Sequence, residues 1–240
     1  MLGLLYGIPA YRRQVSVGHV IQSANLTAAM GDRVAHAFVD SSSIDFCRNS
    51  LIHMALRTQP ARWLLMCDAD TYHYDARDIV AMLADAEERR AAVMAAPVQL
   101  REWSNSAGAF NVARYERITS GTPGVIRIDR REVYVPPAEI FDKVTEVDLI
   151  GTAFMLLSMD WIGKHWPNGP WFQSKQTMVD GTPAWLGEDF RFCDEIKDRG
   201  GHIYCDGRFQ PVHHGTISET SIIPNCAMIT HNRADARKKA

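Results

Sequence analysis

From Leu2 to Pro97 the chain alternates apolar runs of strand length with stretches of helical period, and this alternation constrains the fold more than any other feature of the sequence. Leu2 to Ile8 is apolar and stops at Pro9, Val15 to Met30 reads as a helix, and Val34 to Val39 reads as a short strand ending at Asp40. Ser42-Ser43-Ile44-Asp45 has the form of a capping box. Cys47, Leu51 and Met54 follow at helical spacing, which predicts a helix over 44–58 before Pro60. Trp63 to Cys67 is apolar without interruption, the pattern of a strand buried on both faces in a parallel sheet. Asp75 then caps a helix running to about Ala91, with Ile79, Leu83 and Ala86 on one face, and Val93 to Pro97 is a further strand. Elements in this order make an α/β domain with a mostly parallel central sheet and helices on both faces. Ligands of such sheets bind beyond the carboxyl ends of the strands.

After Gln99 the pattern changes. Gly108, Gly121, Pro123, Gly124, Pro136 and Pro137 break the stretch to Thr145 into short strands and loops, either a functional excursion or a small antiparallel edge. Val147 to Ser158 is apolar around Gly151, and a loop rich in Trp, Pro and Gly reaches Leu186. A helix spans Glu188 to Arg199 before Gly200-Gly201, and His202 to Cys205 opens a last strand pair. With 240 residues, 46% of them hydrophobic, the chain has material for one core, read as a domain over 1–225 followed by a basic tail over 226–240.

The 26 basic and 28 acidic residues leave a net charge of −2, so a nucleic acid or an anionic lipid would have to meet a local patch. Phe110 to Arg131, with five arginines against two acids, is one such stretch, and Arg233, Arg237, Lys238 and Lys239 are another. Cys47, Cys67, Cys193, Cys205 and Cys226 are widely spaced without a CxxC pair, which argues against a zinc ribbon or disulfide framework and for reduced core thiols. No apolar stretch reaches the roughly 18 residues of a membrane span, so a soluble, cytoplasmic protein is expected.

Chemistry enters at Asp68-Ala69-Asp70. Two carboxylates two positions apart on an extended segment point to one side, and the end of the Trp63–Cys67 strand puts both at the ligand rim. Mg²⁺ commonly combines one or two carboxylates with substrate phosphates, so a metal-bound diphosphate site follows. The competing role, a helix cap or turn, is already filled by Asp75. Gly187-Glu188-Asp189-Phe190 opens a helix. Its acids either complement the helix dipole or supply a general base tuned by an apolar pocket from Trp171, Phe172 and Trp185. Pro211-Val212-His213-His214-Gly215 follows the last strand, where an imidazole can complete a metal shell begun by Asp68 and Asp70. Neighbouring strand residues face opposite ways, so one of His213 and His214 reaches the metal.

Taken in order, Ile8-Pro9-Ala10-Tyr11-Arg12, Arg48-Asn49, Asp68-Ala69-Asp70, Gly151-Thr152-Ala153-Phe154-Met155, Gly187-Glu188-Asp189 and His213-His214-Gly215 resemble the large inverting family of nucleotide-sugar glycosyltransferases with the GT-A fold. The resemblance runs from about Leu4 to Gly215. It implies one Rossmann-like domain with a small antiparallel extension, and transfer of a sugar from a nucleotide-diphosphate donor, a UDP-sugar by preference, to an acceptor hydroxyl with inversion. By the same resemblance Pro9 and Tyr11 border the nucleotide, Asp40 contacts base or ribose, and Arg48 and Asn49 support the nucleotide site. Asp68 and Ala69 meet the donor, Asp70 binds Mn²⁺ or Mg²⁺ with Asp68 beside it, and His213 completes the shell with His214 as its rival. Gly151 and Thr152 lie beneath the sugar, Trp171 and Phe172 form an aromatic acceptor wall, Asp189 is the catalytic base, and Glu188 orients it or holds the acceptor. The 99–145 stretch would close over the donor.

Family acceptors include glycans, lipids, proteins and, in some bacteriophages, hydroxymethylated DNA bases. A DNA acceptor would need Arg114, Arg117, Arg127, Arg130 and Arg131 to form one basic face. Two rivals stand beside this reading. A haloacid-dehalogenase-like Mg²⁺ phosphatase expects Thr or Val where Tyr72 stands, and its nucleophilic Asp after the first strand rather than the third. A non-catalytic nucleotide- or sugar-binding module would carry the same residues. No P-loop, GxSxG, HExxH or GxGxxG motif is present.

Overall fold

The structure, a computed structural model, describes residues 2–10, 15–98, 110–120, 127–179 and 182–213, with 116–134 and 175–186 described, where they are, by their backbone. Strand β1 (Leu2–Ala10), helix α1 (Val17–Met30), strand β2 (Val34–Asp40) and helix α2 (Ile44–His53) follow the expected alternation, α2 continuing into a π-helical turn at Met54–Thr58. Strand β3 (Ala61–Cys67) leads to the short β4 (Thr71–Tyr72), helix α3 (Ala76–Glu88) and strand β5 (Val93–Ala95). The caps are local: Ser43, within the expected capping stretch 42–45, accepts from the Phe46 amide at the head of α2, and Asp75 accepts from the Arg77 amide at the head of α3. Beyond them come β6 (Val112–Ser120), β7 (Arg127–Tyr134), α4 (Pro137–Ile140), β8 (Val144–Val147), β9 (Leu149–Ile150), β10 (Phe154–Ser158) and α5 (Met159–His165). The last elements are β11 (Lys175–Val179), β12 (Thr182–Leu186), α6 (Glu188–Asp198), β13 (Ile203–Asp206) and β14 (Val212–His213).

Seven strands form the central sheet in the order β2-β1-β3-β10-β5-β13-β8. Five of them, β1, β2, β3, β5 and β13, run one way, and β10 and β8 run against their neighbours. The sheet is mostly parallel in direction, and the mixed α/β domain is consistent with a Rossmann-like GT-A architecture. The apolar stretch 147–158 does not form one strand: β9 pairs with β6, outside the central sheet, while β10 enters reversed between β3 and β5. That reversal brings the start of β10 to the carboxyl rim of β3, where the Asp68 amide donates to the Ala153 carbonyl at 3.0 Å. Within 99–145 the described residues form the hairpin β6–β7, which with β9 makes a three-stranded antiparallel sheet, the expected small extension, and then α4 and the start of β8, which joins the edge of the central sheet.

The uninterrupted apolar run of β3 has a direct cause. Leu64 and Met66 join a core with Leu51 and Ile52 of α2, Ile162 of α5 and Phe192 and Ile196 of α6. Trp63, Leu65 and Cys67 join a second core with Leu26 of α1 and Ile79 and Met82 of α3. Helices therefore cover both faces, and each fully buried apolar side chain contributes about 1.5–3 kcal/mol. Cys47, Cys67, Cys193 and Cys205 are buried free thiols, and Cys226 and the 226–240 tail lie outside the described residues. No described helix is long and apolar enough to cross a membrane.

Candidate active site

Where β3 ends, Asp68, Ala69 and Asp70 form a tight turn closed by the Thr71 amide donating to the Asp68 carbonyl at 2.7 Å. β14 pairs antiparallel with β4, His213 opposite Thr71, and this register places His213 Nε2 3.7 Å from Asp70 Oδ1. An imidazole and a carboxylate this close fit one hard divalent cation that takes its remaining ligands from water and phosphate. Among the described residues, no cluster of three or more His, Cys, Asp or Glu could hold a metal ion. Asp68 is engaged elsewhere, and His214 lies outside the described residues.

Asp68's partner is Arg48 of α2, whose Nη2 contacts both carboxylate oxygens, at 2.9 and 3.1 Å, while Nη1 pairs with Glu188 at the head of α6. Arg48 is 4% exposed, and its guanidinium lies 5.6 Å from the centre of the Phe172 ring, with Nε buried and unbonded. Burial works against its charge, but Asp68 and Glu188 outweigh that effect and its pKa is raised. Arg48 thus stays charged and ties the rim of β3 to the first turn of α6. Beside Glu188, Asp189 has its pKa raised above the ordinary carboxylate value, by burial first and by Glu188 second, with Arg48 opposing. The Phe190 amide donates to its Oδ1 at 2.8 Å.

Seven residues singled out from the sequence, Arg48, Asp68, Asp70, Gly151, Thr152, Asp189 and His213, line a single cleft of ≈ 330 Å³. Ala153 of the Gly151–Met155 motif lines it too, as do Val98 and Asn111, which were missed. Asn111 carried a weak signal, a polar residue inside the apolar stretch Phe110 to Val112. It accepts from the Val98 amide at 2.8 Å, and its own carbonyl accepts from the Gly151 amide at 2.8 Å. A Cβ on Gly151 would stand 2.5 Å from Asn111 Nδ2, so the packing of Asn111 already accounts for the glycine, without a sugar above it.

Other expected residues lie apart from the cleft. Asn49 spends its side chain on the loop before β11: Oδ1 accepts from the Trp171 and Phe172 amides at 2.8 and 3.0 Å, and Nδ2 donates to the Phe172 carbonyl at 2.8 Å. Phe172 is fully buried with its ring centre 4.3 Å from that of Phe192, and Trp171 is 8% exposed with Nε1 donating to the Trp166 carbonyl. The open aromatic wall is therefore corrected to a core: Phe172 stacks on Phe192 of α6, and Trp171 is buried with its indole N–H already bonded. Pro9 is buried within β1, and Asp40 ends edge strand β2 level with Ala10; neither lines the cleft. Tyr11 lies outside the described residues. Arg114 pairs with Glu139 at 2.8 Å, and in the hairpin backbone Arg117 stands opposite Arg130 and Arg131 opposite Glu116.

No family model and no curated protein matches the chain. Solved structures do. A197 from STIV is 14% identical, matching 91% of this chain and 87% of its own with a TM-score of 0.52. GalNAc-T7 with UDP, GalNAc and Mn²⁺ is 11% identical over 89% of this chain and 44% of its own, TM-score 0.47. The bifunctional IspDF from Campylobacter jejuni is 8% identical over 85% of this chain and 48% of its own, TM-score 0.37. At these identities what is shared with A197 is the fold, and the two enzymes are too distant to bear on the chemistry.

Proposed function

We propose that this chain is a metal-dependent, inverting glycosyltransferase that uses a nucleotide-diphosphate sugar. The observation that carries the reading is the convergence of Asp70, His213, the Arg48-tied Asp68 and the half-buried Asp189 on one cleft at the carboxyl rim of β3. Mn²⁺ or Mg²⁺, held by Asp70 and His213, would supply positive charge to the leaving diphosphate. Asp189 accepts the proton of the acceptor hydroxyl as its oxygen bonds to the anomeric carbon and the bond from that carbon to the diphosphate breaks on the opposite face. Its raised pKa brings a carboxylate closer to the operating pH, where a base is most effective. Arg48 keeps Glu188 paired, which leaves Asp189 as the base, and holds Asp68 at the donor end. Buried Thr152 and the Asn111-backed Gly151 form the floor that orders donor against acceptor. A UDP-sugar is the favoured donor and a glycan or a hydroxymethylated DNA base the favoured acceptor, on the strength of the sequence resemblance.

The test is nucleotide release from a panel of nucleotide sugars with and without Mn²⁺, repeated with Asp70→Ala and Asp189→Ala. Asp70→Ala should lose metal-dependent donor binding, and Asp189→Ala should keep binding and lose transfer. Phosphate release from a phosphomonoester would replace this reading with the phosphatase, and metal-dependent binding without turnover would replace it with the binding module.

A further inference from the structure

We infer that His19, oriented by Tyr6, is a positioning residue for the Asp68-Ala69-Asp70 turn, and through the turn for metal binding; the second half of this statement rests on the function proposed above. His19 lies on the inner face of α1 and is 1% exposed. The helix reaches the turn closely because its preceding residue is Gly18: a Cβ there would fall 2.3 Å from the ring of Tyr72. From that position His19 Nε2 stands 3.0 Å from the carbonyl oxygen of Asp68, and the Ser16 amide donates to the carbonyl of Ala69 at 3.0 Å. Two successive carbonyls of the turn are therefore held by the start of α1, while the side chains of Asp68 and Asp70 line the cleft.

The proton positions follow from the partners. A carbonyl can only accept, so Nε2 carries the hydrogen. With that one proton on the ring, Nδ1 is bare, and it is bonded to the hydroxyl of Tyr6, itself fully buried in β1. The hydroxyl donates to Nδ1, and this fixes both the tautomer and the ring orientation. An apolar side chain would fill the same space without desolvating two polar groups; what the Tyr6–His19 pair adds is direction at the Asp68 carbonyl. Groups that orient ligand-bearing segments in this way typically affect metal affinity about 10–100-fold.

The experiment uses the full chain and three variants, His19→Leu, His19→Gln and Tyr6→Phe, with two readouts: hydrogen exchange of the peptide spanning 68–72, and calorimetric titration with Mn²⁺ in the presence of UDP. Gln can place an amide N–H where Nε2 stands, so His19→Gln should stay within about threefold of wild type in both readouts, while His19→Leu should exchange faster and bind Mn²⁺ about tenfold or more weakly. Tyr6→Phe, which keeps the ring and removes the donor, should fall between them and serves if His19→Leu does not fold. Unchanged exchange at 68–72 in His19→Leu and Tyr6→Phe would overturn the inference, as would equal losses in His19→Gln and His19→Leu, which would mark a packing effect. Faster exchange in a protein that binds no Mn²⁺ even as wild type would uphold the positioning of the turn and bring down the metal-dependent function instead.

Discussion

The two walls of the cleft are made rigid by different means. The strand-end wall, Asp68 to Thr71, is held by hydrogen bonds to its main chain, from His19, Ser16 and the Thr71 amide. The helix wall, carrying Glu188 and Asp189, rests on packed rings: Phe172 against Phe192 with centres 4.3 Å apart and Trp166 against Phe192 at 5.8 Å, with Asn49 fastening the loop that delivers Phe172. Hydrogen bonds specify direction and stacked rings specify position. A ligand pair for a cation needs its oxygen and nitrogen aimed, whereas a base needs a dry place within reach of its proton. Arg48 joins the walls through Asp68 on one side and Glu188 on the other.

The largest effect should come from the packed wall. Phe172→Ala removes a fully buried ring and should cost about 3–5 kcal/mol in urea unfolding, with Mn²⁺ affinity in the still-folded protein unchanged. An equal fall in Mn²⁺ affinity would show that the walls are not separately supported. Next is Arg48→Met, which leaves Asp68 and Glu188 facing each other across a partly buried site, their side chains 26% and 19% exposed. That exposure puts the cost near the lower end of the range for a broken buried pair, about 3 kcal/mol by the same unfolding measurement.

The smallest effects are shifts in pH dependence. As the proposed base Asp189 must be ionised to accept a proton, so on that reading activity should fall as pH drops through its pKa, which burial holds above the ordinary value of 3.8. Arg48 lowers that pKa and Glu188 raises it, so the acidic limb of the kcat/KM profile should move to higher pH in Arg48→Met and to lower pH in Glu188→Gln. Limbs moving together in the two variants would break the electrostatic account of this wall. The same raised pKa fixes the sign for stability: Asp189's relative contribution is fully present below the unfolded carboxyl's pKa and is lost as pH rises through the higher folded value. Asp189→Asn should therefore be more stable than wild type at neutral pH.

Much of this arrangement is legible in the chain because its causes are local. Apolar periodicity marks β1, α2, β3 and α3, side-chain caps at Ser43 and Asp75 start two helices, and a strand followed at once by Asp68-Ala69-Asp70 sets its carboxylates at the rim. The residues whose surroundings the sequence does not reveal owe their roles to partners far along the chain. Gly151 is small because Asn111 occupies the space above it, Phe172 turns inward because α6 offers Phe192, and Asn49 is spent on that same loop. His19 looks like any polar residue of an amphipathic helix until α1 is laid against the end of β3.

The sequence by itself determined the alternation of elements, the two-faced burial of β3 and the acids available at its end and at the head of α6. Periods and caps depend on residues within a turn or two of one another. Tertiary structure alone decided that β10 enters reversed, that His213 comes within 3.7 Å of Asp70, and that Arg48 spans both walls. Strand order and register arise from competition among many distant pairings for the same buried surface, and no local pattern records which pairing wins.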